Sequence, residues 1–306
     1  VVIEGFRPGV VKRLGVDYQT LRKINPRLIY CSMSGYGQDG PYSQLPGHDI
    51  NYISVGGAQD MIGQRNGPHT IPMNFLADWA GAGLHGAIGI LAAVIAREKT
   101  GQGQYIDLSY LEGVLSLMTP FIYDNAANGT PYRRGEAPFN GGFPGYNIYE
   151  TKDGRHFTIG CVEPWFWENL CRVLGKEDFI PYQFDEGEKR EEITAYLQKV
   201  FRTKTREEWF DFLKDKNIPI GKLYSIEEVF TDPQVLHRNI PVEIEHPTKG
   251  KVKQVGVAIK LSDTPGRVRS GPPLQGQHTV EVLTELGYSR ERINELSKEG
   301  VIYSTK

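Results

Sequence analysis

Short runs of β-branched residues alternate with amphipathic segments through the first third of the chain, and this alternation constrains the fold more than any other feature. Runs of this kind, without polar alternation, are typical of strands buried on both faces of a parallel sheet. We predict strands at Val1–Ile3, Leu28–Ser34 and Gln104–Ser109, and helices at Tyr18–Ile24, Asp49–Ala58 and Trp79–Arg97. The pattern indicates an α/β domain with a mostly parallel sheet.

A second, smaller domain is predicted after a helix at Leu111–Tyr132 and a Gly- and Pro-rich stretch at Arg133–Gly145. An Asp-Gly pair between Tyr146–Glu150 and His156–Cys161 indicates a β-hairpin. Further helices are expected at Pro164–Leu174, Lys189–Arg202, Thr205–Lys214, His278–Leu286 and Ser289–Lys298, and further strands at Val242–Glu245 and Val255–Ile259. We therefore predict a large α/β domain (1–110), a linker (111–145), a small α+β domain (146–220), a second linker (221–240) and a segment returning to the large domain (241–306).

The charge and the cysteines exclude several classes of function. A net charge of −2 over 306 residues provides no basic field for nucleic acid or an anionic membrane. The three cysteines form no CxxC pair, which predicts no structural metal site and a reducing, cytoplasmic location. The most apolar helical segment, Ala82–Ala96, is interrupted by His85 and glycines, so we predict no membrane span.

Asp78 is a candidate catalytic carboxylate at the start of a helix rich in small residues. The alternative is an N-cap that accepts hydrogen bonds from the first free N–H groups. Gly81 and Gly83 would let a ligand approach the backbone, and free N–H groups at a helix start suit a developing oxyanion. Both roles are compatible.

His48 is a candidate for proton transfer, because imidazole is the side chain best matched to that task near neutral pH. It precedes the polar run Asp49-Ile50-Asn51-Tyr52, which is a costly way to build plain core. A capping or packing role for His48 is the alternative.

Two further candidates have equally plain alternatives. Glu163 ends a predicted strand before Pro164, where it either caps a helix or reaches a second surface; Trp165, Phe166, Trp167 and Leu170 after it are predicted to form a packed helix face. Arg7, Lys12 and Arg13 form a basic turn after the first strand, suited to a phosphate or simply solvated. No nucleotide-binding, nucleophile-elbow or zinc-protease motif is present.

An ordered series of motifs resembles CoA-transferase family III over nearly the whole chain. The motifs are Phe6-Arg7-Pro8-Gly9-Val10, Asn25-Pro26-Arg27-Leu28-Ile29-Tyr30, Ser34-Gly35-Tyr36-Gly37-Gln38, Gly47-His48-Asp49-Ile50-Asn51-Tyr52, Asn74–Gly83, Lys99–Gln104, Tyr149–Gly154, Glu163-Pro164, Asp232-Pro233-Gln234 and Gly276–Thr279. The resemblance implies a Rossmann-like large domain, an interlocked homodimer and an acyl-CoA substrate, with coenzyme A as part of the substrate rather than a prosthetic group.

Two chemistries occur in the family, and the resemblance is greatest to its α-methylacyl-CoA racemases. In those, residues matching His48 and Asp78 exchange the C2 proton through an enolate, which the backbone at the Asp78 helix start would hold, and Glu163 orients or balances His48. In transferases, the aspartate matching Asp78 is the nucleophile. The histidine favours a racemase.

The resemblance also implies a CoA site, to which we assign Arg7, Arg13, Gly35, Tyr36 and Gly37. Members of the family begin with a further strand–helix segment that this sequence lacks, so part of the adenine and phosphate pocket is expected to be missing. A non-catalytic CoA-binding or structural remnant is therefore a third hypothesis.

Overall fold

The computed structural model describes residues 1–305, and the chain divides into two compact units, Val1–Leu223 and Tyr224–Lys306. The first unit contains a parallel sheet with its helices and a smaller antiparallel sheet with its own core. The second unit contains a β-hairpin and short helices. The predicted α/β class, with a parallel sheet and a smaller α+β part, is confirmed.

The parallel sheet contains β1 (Val2–Glu4), β2 (Tyr30–Ser34) and β3 (Tyr105–Ser109), in that order. Its middle strand is almost entirely buried, as its apolar composition predicts. Glu4 pairs with Ser32, and Ser32 pairs with Asp107, so one polar row crosses the sheet. The short helices α1 (Val10–Arg13) and α2 (Tyr18–Ile24) connect β1 to β2.

The connection from β2 to β3 carries α3 (Asp49–Val55) and a long helix. That helix begins earlier than predicted: Phe75–Leu84 is π-helical and continues without a break into α4 (His85–Thr100). Gly86 and Gly89 lie on the face of α4 that packs against Met33, Leu108 and Ile106 of the sheet.

α4 also exposes the apolar side chains of Ile88, Leu91 and Ile95, and Leu84 at the end of the π-helical segment is exposed as well. Among the described residues, the helix Phe75–Thr100 is long enough and apolar enough to cross a membrane. The core helices of soluble proteins can meet the same criteria of length and composition. The absence of a membrane span therefore stays a prediction.

The predicted helix Leu111–Tyr132 is two helices, α5 (Tyr110–Leu117) and α6 (Thr119–Asn128). The break falls at Met118, just before Pro120, whose ring cannot continue the hydrogen-bond ladder of α5. α5 packs against α3 and the π-helical segment, around Tyr52, Ile53, Ala77 and Val114. The region predicted as a linker thus contributes a helix to the core beneath the end of the parallel sheet.

The antiparallel sheet contains β4 (Tyr146–Glu150), β5 (His156–Gly160) and β6 (Ile220–Lys222), with β5 in the middle. The predicted hairpin is confirmed: β4 and β5 pair directly, and Gly154 in their turn has a φ of 72°. The helices α7 (Pro164–Val173), α8 (Glu188–Phe201) and α9 (Arg206–Leu213) cover an aromatic core that includes Trp167, Phe201 and Trp209.

The second unit contains α10 (Ile226–Val229), α11 (Pro233–His237), β7 (Pro241–His246), β8 (Gly250–Val255), α12 (Thr279–Glu285) and α13 (Arg290–Lys298). The predicted strand Val255–Ile259 is wrong. The strand that pairs with β7 ends at Val255 instead, because the turn at residues 247–250 closes a tight hairpin and fixes the register. That the segment 241–306 returns to the large domain stays a prediction.

Candidate active site

A cavity of about 970 Å³ lies where all three parallel strands end. Gly5–Pro8 follow β1, Ser34 and Gly35 end β2, and Tyr110 follows β3, and all of them line the cavity. Further lining residues are His48, Asn51, Tyr52, Asn74, Asp78, Trp79 and Gly83. The carboxyl ends of parallel strands are where open α/β sheets bind their ligands. Of the predicted site residues, the cavity brings together His48, Asp78, Arg7 and Gly35.

His48 is the residue immediately before α3, and its side chain is exposed toward the cavity it lines. Its backbone N–H donates a hydrogen bond of 3.0 Å to Oδ1 of Asn51. The Asn51 side chain therefore fixes the backbone that carries His48. His48 is the N-cap of α3 and forms a capping box with Asn51, so the capping alternative is confirmed. Its side chain is nevertheless exposed, so the packing alternative does not hold.

Asp78 lies in the first turn of the π-helical segment and is half-buried. Its Oδ2 accepts a hydrogen bond of 3.1 Å from Nδ2 of Asn74, one helical turn earlier. The capping alternative for Asp78 is wrong, because the segment begins three residues earlier, at Phe75. The Asp78 carboxylate is therefore available to the cavity.

Asp49 performs the capping role that the sequence suggested for Asp78. Its Oδ2 accepts hydrogen bonds from the backbone N–H groups of Ala77 (2.7 Å) and Asp78 (2.9 Å). Asp49 therefore occupies two of the N–H groups at this helix start, and a role of the remaining ones toward the enolate stays a prediction. By contrast, no acceptor among residues 1–305 takes the N–H groups of Asp49 and Ile50, in the first turn of α3.

Tyr52 and Tyr110 line the cavity together with Asp78. Burial, followed by the nearby Tyr36, Tyr110 and Asp78, raises the pKa of Tyr52 to about 12. Burial and the charge of Asp78 also raise the pKa of Tyr110. Both phenols therefore stay protonated at neutral pH, and their hydroxyls are neutral hydrogen-bond donors.

Gly35 and Gly47 make room for the ring of Tyr52. A Cβ at Gly35 would lie 2.7 Å from Tyr52 Cε1, and one at Gly47 would lie 2.6 Å from the same atom. Gly35 thus lines the cavity as predicted, and it also has a packing role that the sequence did not reveal.

The other predicted CoA contacts differ in position. Arg7 lines the cavity, whereas Arg13, at the last residue of α1, does not. Tyr36 packs edge-on against Tyr42 and Tyr52, and the N–H of Gly37 donates to Ser34 Oγ at 3.1 Å. Tyr36 and Gly37 therefore shape the loop after β2 without lining the cavity.

Glu163 does not line the cavity of its own chain. It immediately precedes α7, three residues after β5 ends at Gly160, so the prediction that it ends a strand is wrong. Its side chain makes no capping hydrogen bond. Gln183 donates to the backbone carbonyls of Cys161 and Val162 and so fixes the strand end that carries Glu163. Trp167 and Leu170 are buried as expected, whereas Trp165 is largely exposed.

No group of three or more His, Cys, Asp or Glu side chains suited to a metal ion occurs within residues 1–305.

Comparison with known proteins identifies the family. The family model described as CoA-transferase family III matches residues 1–279. The chain belongs to CoA-transferase family III. Its similarity to the human alpha-methylacyl-CoA racemase is 34% identity over 307 residues, covering 100% of this chain and 79% of the relative.

Members of CoA-transferase family III with different activities are about equally similar to the chain. An acyl-CoA transferase of Fusarium pseudograminearum is 34% identical over 313 residues, which cover 99% of this chain and 67% of that protein. The crystal structure of a CAIB/BAIF family protein from Brucella suis matches with a TM-score of 0.77 and 29% identity, over 93% of this chain and 75% of that one. The family therefore shows an enzyme fold, and both racemases and transferases are among its members.

Proposed function

We propose that this protein racemises 2-methylacyl-CoA thioesters by moving the proton at C2. The observation that carries the proposal is that His48 and Asp78, distant in sequence, line the same cavity. One of the two removes the C2 proton, the electron pair of the C–H bond forms the enolate, and the other returns a proton to the opposite face. Proton and charge balance within the pair, and no co-reactant is needed.

The enolate oxygen needs hydrogen-bond donors that are already in place. The N–H groups of Ala77 and Asp78 are occupied by Asp49. The first turn of α3 follows His48 directly, and the N–H groups of Asp49 and Ile50 in that turn have no acceptor within residues 1–305. We assign the enolate oxygen to this turn.

The CoA part of the substrate is proposed to enter past the turn after β1. Arg7 lines the cavity there, and Lys12 and Arg13 add positive charge in the last turn of α1. A guanidinium group is well suited to hydrogen-bond a phosphate. Phe6, Leu45 and Trp79 line the same cavity and are largely exposed, so they offer apolar surface to the acyl chain.

We further propose a homodimer in which Glu163 acts across the subunit interface. Glu163 does not line the cavity of its own chain, although the resemblance assigns it a role beside His48. A second copy that supplied Glu163 of the partner subunit would resolve this difference. The cytoplasmic location stays a prediction.

The second candidate is CoA transfer to a free carboxylic acid. It is supported by the half-buried Asp78 carboxylate and by the similarity to an acyl-CoA transferase. Asp78 would attack the thioester carbonyl and release the CoA thiolate, leaving a mixed anhydride on Asp78. The thiolate would then attack the Asp78 carbonyl of that anhydride, which releases the first acid and leaves a thioester between Asp78 and CoA. The carboxylate of the second acid would attack this thioester to give a new mixed anhydride and free thiolate. The thiolate would finally attack the acyl carbonyl, which forms the new acyl-CoA and regenerates Asp78.

The deciding experiment is C2 exchange in heavy water. Purified protein is incubated with a single enantiomer of a 2-methylacyl-CoA and no acceptor acid, and deuterium at C2 and loss of optical purity are followed together. We expect both to appear. Bound substrate that gains no deuterium contradicts the racemase proposal.

Two variants separate the candidates. His48→Ala should lower the exchange rate by about 10²–10⁴-fold, the usual contribution of a general acid or base. His69→Ala is the matched control, because His69 is exposed, pairs with Asp60 at 3.0 Å and does not line the cavity. A hydroxylamine-sensitive acyl adduct on Asp78, with acceptor-dependent turnover that survives His48→Ala, would establish the transferase instead.

A further inference from the structure

We propose that Asp49 is a positioning residue that sets Asp78 relative to His48. The inference rests on the proposed function, in which His48 and Asp78 act as a pair. It concerns how the fold holds that pair, and it assigns Asp49 no proton transfer.

The side chain of Asp49 reaches from α3 to the π-helical segment. It is 4% exposed, and its Oδ2 accepts from the N–H groups of both Ala77 and Asp78, at 2.7 and 2.9 Å. One of these two donors is the backbone of the proposed catalytic residue. The position of the Asp78 backbone is thus fixed directly by the Asp49 carboxylate.

The backbone of Asp49 is joined to the other member of the pair. Asp49 is the first residue of α3 and follows His48 in the chain. The N–H of His48 is itself fixed by Asn51 at 3.0 Å. One residue therefore connects both sides of the proposed acid/base pair, through one peptide bond on one side and two hydrogen bonds on the other.

No other side chain among the described residues shares this task. Asn74, the residue before the π-helical segment, makes no capping hydrogen bond and donates instead to the Asp78 carboxylate. Ala77 is fully buried, so water does not replace the bond to its N–H. Removing the Asp49 carboxylate would leave a buried donor without an acceptor.

The second oxygen of Asp49 is also unusual. Oδ1 is buried and has no hydrogen-bond partner. A buried carboxylate oxygen without a partner is unfavourable, and such groups call for a functional explanation. Both N–H groups bind Oδ2, so Oδ1 takes no part in holding the π-helical segment.

The test compares Asp49→Ala and Asp49→Asn with the wild type. In Asp49→Ala we expect the amides of Ala77 and Asp78 to exchange with heavy water at least about tenfold faster. The C2 exchange rate at saturation should fall about 10²-fold with little change in KM, since small displacements of a reacting group have effects of this size. Asp49→Asn keeps an acceptor oxygen and should stay within about tenfold of the wild type.

Asp232→Ala is the matched control. Asp232 caps α11 in the second unit with the same arrangement, accepting from the N–H groups of Gln234 and Val235 at 2.9 and 3.1 Å. Its replacement should accelerate exchange of those two amides and leave the C2 reaction unchanged. If this control also slowed the C2 reaction, the effect of Asp49→Ala could be explained by the loss of any helix cap, and the specific role of Asp49 would be contradicted.

The outcomes separate this inference from the proposed function. Absence of C2 exchange in the wild type counts against the racemase proposal, while the amide exchange of Ala77 and Asp78 still decides whether Asp49 holds that turn. Unchanged amide exchange, or full C2 activity in Asp49→Ala, overturns the inference. If Asp49→Ala does not fold, Asp49→Asn decides. A roughly 10²-fold loss of C2 exchange rate in this variant, with the amides of Ala77 and Asp78 still protected, would mean that the negative charge of Asp49 matters and would overturn the positioning role.

Discussion

Gly81 and Gly113 lie in direct backbone contact where α5 crosses the π-helical segment. A Cβ on Gly113 would overlap the carbonyl group of Gly81, and a Cβ on Gly81 would lie 3.2 Å from the N of Val114. Sequence reasoning assigned Gly81 to ligand approach, but Gly81 is buried against α5, whereas Gly83 lines the cavity. Asp78 is three residues before Gly81, so its position depends on this contact.

Replacing Gly113 by alanine should push α5 away from the π-helical segment. Overpacking of this kind costs about 1–3 kcal/mol of unfolding free energy. The displaced segment carries Asp78, so we also expect the C2 exchange rate to fall by about tenfold or more. Chemical unfolding and the heavy-water assay measure the two effects.

Gly89→Ala is the control for this prediction. Gly89 lies in α4, and an added Cβ would meet Ile106 at an ordinary 3.5 Å. Alanine is the better helix former by about 1 kcal/mol, so the control should be neutral or stabilising. Equal stability of Gly113→Ala and the wild type would show that the two helices separate without cost.

The ring of Tyr52 should couple energetically to Gly47. Gly47→Ala places a methyl group 2.6 Å from Tyr52 Cε1, directly before His48. We expect Gly47→Ala to lower the free energy of unfolding by about 1–3 kcal/mol. A smaller side chain at position 52 should restore most of that free energy, because it leaves room for the methyl group. The Gly47→Ala and Tyr52→Leu double-mutant cycle should therefore give a coupling energy above about 0.5 kcal/mol. If the effects of the two substitutions on stability simply added, the destabilisation by Gly47→Ala would not come from contact with the Tyr52 ring.

The regular elements of the fold could be predicted because their signals are local. The buried run Tyr30–Ser34 and the Asp-Gly turn before Arg155 each specify one structure within a few residues. Tyr18–Ile24 is helical as predicted, and the structure adds Asp17 as its N-cap. The predicted bounds were wrong where strand pairing sets them. At β8, for example, the register with β7 determines where the strand ends.

The site was only partly predictable, because its geometry depends on contacts between distant residues. His48 and Asp78 could be named from their neighbours in sequence, but the cap at Asp78 comes from Asp49, which is 29 residues away. The one sequence signal for Asp49 was its place in the polar run after His48. Nothing local distinguishes Gly81, which packs on Gly113, from Gly83, which lines the cavity.

The three cysteines should be unreactive in the folded protein. Cys31, Cys161 and Cys171 are buried and free. Burial raises the pKa of Cys161 and of Cys171 to about 12, and it also raises the pKa of Cys31. Since the thiolate is the reactive form, Cys161 and Cys171 of the native protein at pH 8 should react with a thiol reagent about 10³-fold more slowly than in the denatured protein, and Cys31 should also react more slowly. Rapid labelling of any native cysteine would contradict the buried positions.

The same thiols should make the fold less stable in alkali. In the unfolded chain each thiol ionises near its ordinary pKa of 9, whereas the folded state holds Cys161 and Cys171 protonated up to about pH 12. A raised pKa contributes stability that is complete below pH 9 and is lost as the pH rises toward 12. Each thiol should add a slope of about −1.4 kcal/mol per pH unit in that interval. Between pH 9 and 11, the free energy of unfolding of Cys161→Ala should therefore fall less steeply with pH than that of the wild type, by about this amount. An unchanged slope would mean that Cys161 ionises without unfolding.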